Sequence, residues 1–100
     1  MRQNLPRAVA HFRKACNGDL GEGCYNLAVA YSNGIGVAKD ERKAVRLFRR
    51  ACDRKLPAGC HFLGLHLDLG LGVAQNIRQA ATLYRRACNG GENGACLVYT

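Results

Sequence analysis

Six cysteines mark out three copies of one segment in this 100-residue chain. Cys16, Cys52 and Cys88 step by 36, as do Cys24, Cys60 and Cys96, so each copy carries a pair eight positions apart. Other residues keep the same step: Ala8, Ala44 and Ala80; Phe12, Phe48 and Tyr84; Ala15, Ala51 and Ala87. Gly34-Ile35-Gly36-Val37-Ala38 recurs as Gly70-Leu71-Gly72-Val73-Ala74. A segment of this length repeated without gaps predicts a stacked array, in which each unit buries its apolar face against its neighbours. The chain reads as one domain, residues 1–100, with units at 3–38, 39–74 and 75–100. The third is cut short at Leu97-Val98-Tyr99-Thr100.

Each unit reads as two helices. In the second, Ala44, Leu47, Phe48 and Ala51 fall at i, i+3, i+4 and i+7, the spacing of an amphipathic helix. Arg42, Arg46, Arg49 and Arg50 fall on the opposite side. Lys55-Leu56-Pro57-Ala58-Gly59 interrupts, because proline lacks the amide hydrogen that a helix interior needs. A second helix over about residues 58–69 is apolar nearly all round, which requires cover on both sides. Gly64 allows a close helix approach, and Gly70-Leu71-Gly72 ends the helix with a left-handed cap. Asp40 and Asn76 are suitable N-caps for the helices that follow. The fold class expected is all-α: an α/α solenoid of antiparallel hairpins, two full repeats and a partial third.

These segments, KAVRLFRRAC and CHFLGLHLDLGLGV with their counterparts, resemble the Sel1-like repeat family, relatives of the tetratricopeptide repeats. The paired cysteines resemble its cysteine-rich branch, typified by the Helicobacter cysteine-rich proteins. That resemblance implies one disulfide per hairpin: Cys16–Cys24, Cys52–Cys60 and Cys88–Cys96. The first cysteine of each pair closes one helix and the second opens the next, a placement compatible with bridging. Reduced cysteines packed as small core residues are a second reading. Metal ligation is a weaker third, since zinc sites use closer sets of ligands. Disulfides persist in oxidising compartments, so the expected location is secreted or periplasmic. No secretory leader is visible in MRQNLPRAVAHFRKAC, and no apolar run approaches the roughly 20 residues of a membrane span. The chain therefore reads as a processed or excised piece of a longer array.

The formal charge of +8 bears on partners rather than on fold. Arg13, Arg49 and Arg85 share one repeat position, and Lys14, Arg50 and Arg86 the next. In the resembling families the first helix of each unit lines the concave surface. With Arg42 and Arg46, these cations would form a basic groove for an acidic or extended protein or peptide. The other reading is a solvated face whose arginine stems cover apolar surface. Nucleic acid is not expected: Tyr25, Tyr31, Tyr84 and Tyr99 sit mostly at core positions, leaving no stacking row among the cations. Membrane insertion is not expected either. End-to-end self-association through the cut third unit is a further partner reading.

The resemblance also implies a penicillin-binding or β-lactam-hydrolysing activity. The residues offer little to carry it. The single serine, Ser32, precedes Asn33-Gly34-Ile35, and S-x-x-K, S-D-N and K-T-G are all missing. Nothing at repeat-consistent spacing places a nucleophile beside a base, so no catalytic residue is assigned. His61 and His66 lie about 140° apart on a helix and face different ways. His66 reads as a core histidine, and His11 reads as facing solvent. Gly34 and Gly36 are turn formers with no P-loop lysine after them. No cofactor or metal is expected. The favoured function is a binding scaffold, ahead of a weak β-lactam hydrolase and of a purely structural segment of a larger adaptor.

Overall fold

The computed structural model describes residues 4–92 and 94–96. Among these residues five α-helices of equal length follow one another: α1 (Leu5–Asn17), α2 (Gly21–Asn33), α3 (Glu41–Asp53), α4 (Pro57–Leu69) and α5 (Ile77–Asn89). A helical turn begins again at residues 94–96. Each helix packs on the next in chain order, α1 on α2 through to α4 on α5. The result is an all-α solenoid of antiparallel hairpins measuring 40 × 26 × 24 Å. The end of the third unit, residues 97–100, lies outside the described residues.

The periodicity of the chain produces this regularity through local chemistry. Asn4, Asp40 and Asn76, one repeat apart, each cap a helix: their side-chain oxygens accept from the amides of Arg7, Lys43 and Gln79 at 3.0, 3.1 and 3.0 Å. Pro57 does not interrupt the second hairpin. It is the first residue of α4, where a missing amide hydrogen removes only a donor that would lack a helical partner. The break is confined to residues 54–56, the residues between α3 and α4. There the amide of Leu56 donates to Ala51 at 3.1 Å, as Leu20 does to Ala15 and Glu92 to Ala87. This closing bond requires one left-handed residue beneath it, filled by Asp19, Lys55 and Gly91 with φ of 66°, 64° and 99°.

The disulfides lie at these necks. Cys16 joins Cys24, Cys52 joins Cys60 and Cys88 joins Cys96, with Cα separations of 4.4, 4.5 and 4.7 Å. Closing a loop this short stabilises the fold by about 2–3 kcal/mol per bond in the chain-entropy account.

Hairpins stack through side chains at the repeat positions. Phe48 is 1% exposed. It stacks on Phe62 with ring centroids 5.4 Å apart and meets Tyr25 at 5.9 Å. Burying such a ring is worth about 1.5–3 kcal/mol. Gly64 lets α5 close in: a Cβ there would stand 3.0 Å from Tyr84 Cε1. Burial, with Asp68 nearby, pushes the Tyr84 hydroxyl up to about 12. Leu47 departs from the expected stripe, being only half-buried while Val45 and Cys52 are fully buried.

Candidate functional site

Because α1 and α3 both pack on α2, a groove of about 360 Å³ runs between them. Its walls carry Arg13 from α1 and Lys43, Arg46, Leu47 and Arg50 from α3, and its floor is Leu27 and Tyr31 of α2. On α3 the four wall residues share one flank, since positions three, four and seven apart lie close together on a helix. Tyr31 gathers the charge. Arg13 Nη2 donates to its hydroxyl at 3.0 Å, and Lys43 Nζ stands 5.3 Å from its ring centroid, within cation–π range. Four cations thus line one groove, and no carboxylate lines it among the described residues. A concave surface of one sign raises the local concentration of opposite charges.

The other cations expected at the binding face lie elsewhere. Lys14, Arg42, Arg49 and Arg85 are exposed outside this groove, and Arg86 lines a separate pocket at the neck of the second hairpin. Arg13 enters the groove and Arg49 does not because their surroundings differ. The hydroxyl of Tyr31 holds Arg13, whereas one repeat on the position of Tyr31 is Leu67, buried at 2% exposure. Lys43 and Tyr31 were not among the residues expected at the face. Lys43 was hidden by its absence from the repeated arginine positions, and Tyr31 by its reading as core.

Arg50 also holds the junction between hairpins. Its Nη2 donates to Asp19 Oδ1 at 2.9 Å, and Arg54 Nη2 reaches Asp19 Oδ2 at 2.8 Å. The hydrogen bond from Arg50 and the charge of Arg54 hold the Asp19 carboxyl below its ordinary range. All three groups are about half exposed, so this bridge positions more than it stabilises.

A second cluster joins α2, α3 and α4. Ser32 Oγ donates to Glu41 Oε1 at 2.8 Å and lies 3.5 Å from His66 Nε2, which is 3.0 Å from the same Glu41 oxygen. His66 Nδ1 is 2.9 Å from the Phe62 carbonyl, which can only accept, so that nitrogen donates. His66 is therefore a core histidine, 3% exposed, with polar partners on both nitrogens. The structure does bring the single serine beside a histidine and a carboxylate, which the sequence reading did not find. The hydroxyl, however, points its proton at Glu41, and Nε2 is committed to the same oxygen. An activated serine would instead donate to the histidine. The arrangement clasps three helices together. Burial pushes the Glu41 carboxyl up, but hydrogen bonds from Ser32 and His66, with the charges of His66 and Lys39, outweigh it and leave it below its ordinary value.

His61 packs tilted against Phe62, with ring centroids 5.2 Å apart, and meets the edge of Tyr84, while His11 is exposed beside Phe12. Among the described residues no group of three or more histidines, cysteines or acids could hold a metal ion. Nor is any helix among the described residues long and apolar enough to cross a membrane.

The sequence profile of the Sel1 repeat matches residues 1–20, 21–56 and 57–92, cutting the units between helices rather than between hairpins. "Beta-lactamase HcpA" of Helicobacter pylori is 46% identical over 43 residues, 43% of this chain but 17% of that protein. Helicobacter pylori cysteine rich protein B superposes with a TM-score of 0.86 at 37% identity, covering 90% of this chain and 68% of that one. A Sel1 repeat protein from Oxalobacter formigenes superposes at 0.93 with 26% identity, over 99% of this chain and 41% of the other.

Proposed function

The chain belongs to the Sel1 repeat family, and from that premise we propose that it is a disulfide-stapled scaffold holding an extended acidic peptide in the groove between α1 and α3. The observation that carries this reading is the convergence of Arg13, Lys43, Arg46 and Arg50 around Tyr31 with no carboxylate on the groove wall. Arginine forks suit carboxylates, which they meet with two parallel hydrogen bonds. The three disulfides and the cysteine-rich relatives point to an extracytoplasmic protein, and the reading places it in the periplasm or outside the cell. Hydrolysis of a β-lactam, the activity in the name of the similar Helicobacter pylori protein, has weaker support, because the Ser32 hydroxyl is engaged by Glu41.

The test separates the groove from the net charge. Lys43→Glu with Arg46→Glu alters the groove wall, while Arg42→Glu with Arg49→Glu makes the same charge change outside it. With a fluorescein-labelled deca-glutamate peptide at low ionic strength, the first pair should weaken binding by at least about tenfold. The second should change it by only about twofold, through the general field. Equal losses from both pairs would reduce the groove to a solvated basic surface.

A further inference from the structure

The two junctions of the solenoid differ in their charged residues. At the first, the left-handed neck residue is Asp19, whose carboxylate meets Arg50 and Arg54 of the next unit at 2.9 and 2.8 Å. One repeat on, Lys55 stands at the position of Asp19, Arg86 at that of Arg50, and Gly90 at that of Arg54. The carboxylate has been replaced by a cation. Among the described residues, the hydrogen bond of Arg86 is that of Nη1 to the Cys52 sulfur at 3.5 Å, a weak acceptor that uses little of a guanidinium's five-donor capacity. Around it lies a cavity of about 380 Å³, walled by Lys55, Arg86, Asp53, Pro57, Gly90 and the Cys52–Cys60 bridge.

The geometry points to a carboxylate-binding pocket at the neck of the second hairpin, in which a ligand's carboxylate takes the place that Asp19 fills at the first. Asp19 and Arg50 show within this fold the contact such a ligand would make. The rest of the wall sets the ligand's class. Lys55 and Arg86 against Asp53 leave one net positive charge, which suits a single carboxylate better than a phosphate dianion. The proline ring, the glycine and the disulfide offer an apolar surface for the ligand's body. The volume is that of a small-molecule site. The pocket is separate from the groove, since neither Lys43 nor Arg46 lines it.

The test uses benzoate as probe, with benzamide as its neutral isostere, inorganic phosphate as the competing anion class, and amide chemical shifts of the isotope-labelled protein as readout. Benzoate should shift the amides of Lys55 and Gly90 saturably, benzamide should not, and phosphate should require a higher concentration. Lys55→Asp restores the residue type of the first junction at a left-handed position that Asp tolerates better than Lys. It should fill the pocket from within, weakening benzoate by at least about tenfold without lowering the thermal midpoint. Arg86→Gln, at an exposed position, should weaken benzoate similarly. The proposal fails if benzoate and benzamide act alike, if phosphate reaches the same amides at equal or lower concentration, if shifts stay near Arg13 and Arg46, or if both variants respond as the parent does.

Discussion

Glu41 opens α3, and its carboxylate ties that end to two other helices through Ser32 at 2.8 Å and His66 at 3.0 Å. Its lowered folded-state value has a definite linkage sign. A carboxyl depressed on folding contributes stability that is complete above its unfolded value, about 4.3, and is lost as pH falls through the folded one. Glu41→Gln should therefore cost stability at neutral pH, and urea midpoints of the two proteins should converge as pH drops below about 4. A constant gap across that range would show the carboxylate to be a bystander. Of this cluster only the burial of His66 was legible in the sequence. Ser32, Glu41 and His66 occupy positions whose counterparts are Asp68, Leu5 or Ile77, and Ala30. Reasoning from repeats discounts residues that break the pattern, and only the superposed hairpins bring these three together. The same holds for Lys55, although its charge reversal against Asp19 is visible once the units are aligned.

Helices and turns were far more legible, because their causes are local. The caps at Asp40 and Asn76, the left-handed ends at Gly34 and Gly70, and the apolar stripe of α3 all follow from residues within one turn of the feature. The boundary at Pro57 was misjudged for a local reason too: proline excludes a helix interior but is welcome at its first position. The azimuth of each arginine was not legible. Spacing assigns Arg42, Arg46, Arg49 and Arg50 to one broad polar side, and only contacts with α1 and α2 divide that side into groove and flank. Gly72 belongs to this scale. Its φ is 68°, and a Cβ there would stand 2.5 Å from the Glu41 backbone carbonyl, where nothing can yield cheaply. Gly72→Ala should lower stability by about 2–4 kcal/mol from left-handed strain and overpacking together. Denaturant unfolding would show it, and a loss under about 0.5 kcal/mol, the range of neutral surface changes, would mean that the loop docks differently.

The whole molecule is built of hairpins that are each closed within themselves and then stacked. Three bonds of about 2–3 kcal/mol apiece match a large share of the 5–15 kcal/mol that holds a small domain together. The groove and the neck pocket both depend on this plan, since each is framed by elements of adjacent units. Its most direct test is mapping the cysteines by tryptic digestion without reductant, followed by mass spectrometry. Peptide 51–54 should appear joined to peptide 56–78 through Cys52 and Cys60. Peptides 15–39 and 87–100 hold both partners of the first and third bridges, so each should run about two mass units below its reduced form. Six unmodified thiols, or any fragment joining cysteines of different hairpins, would contradict the account.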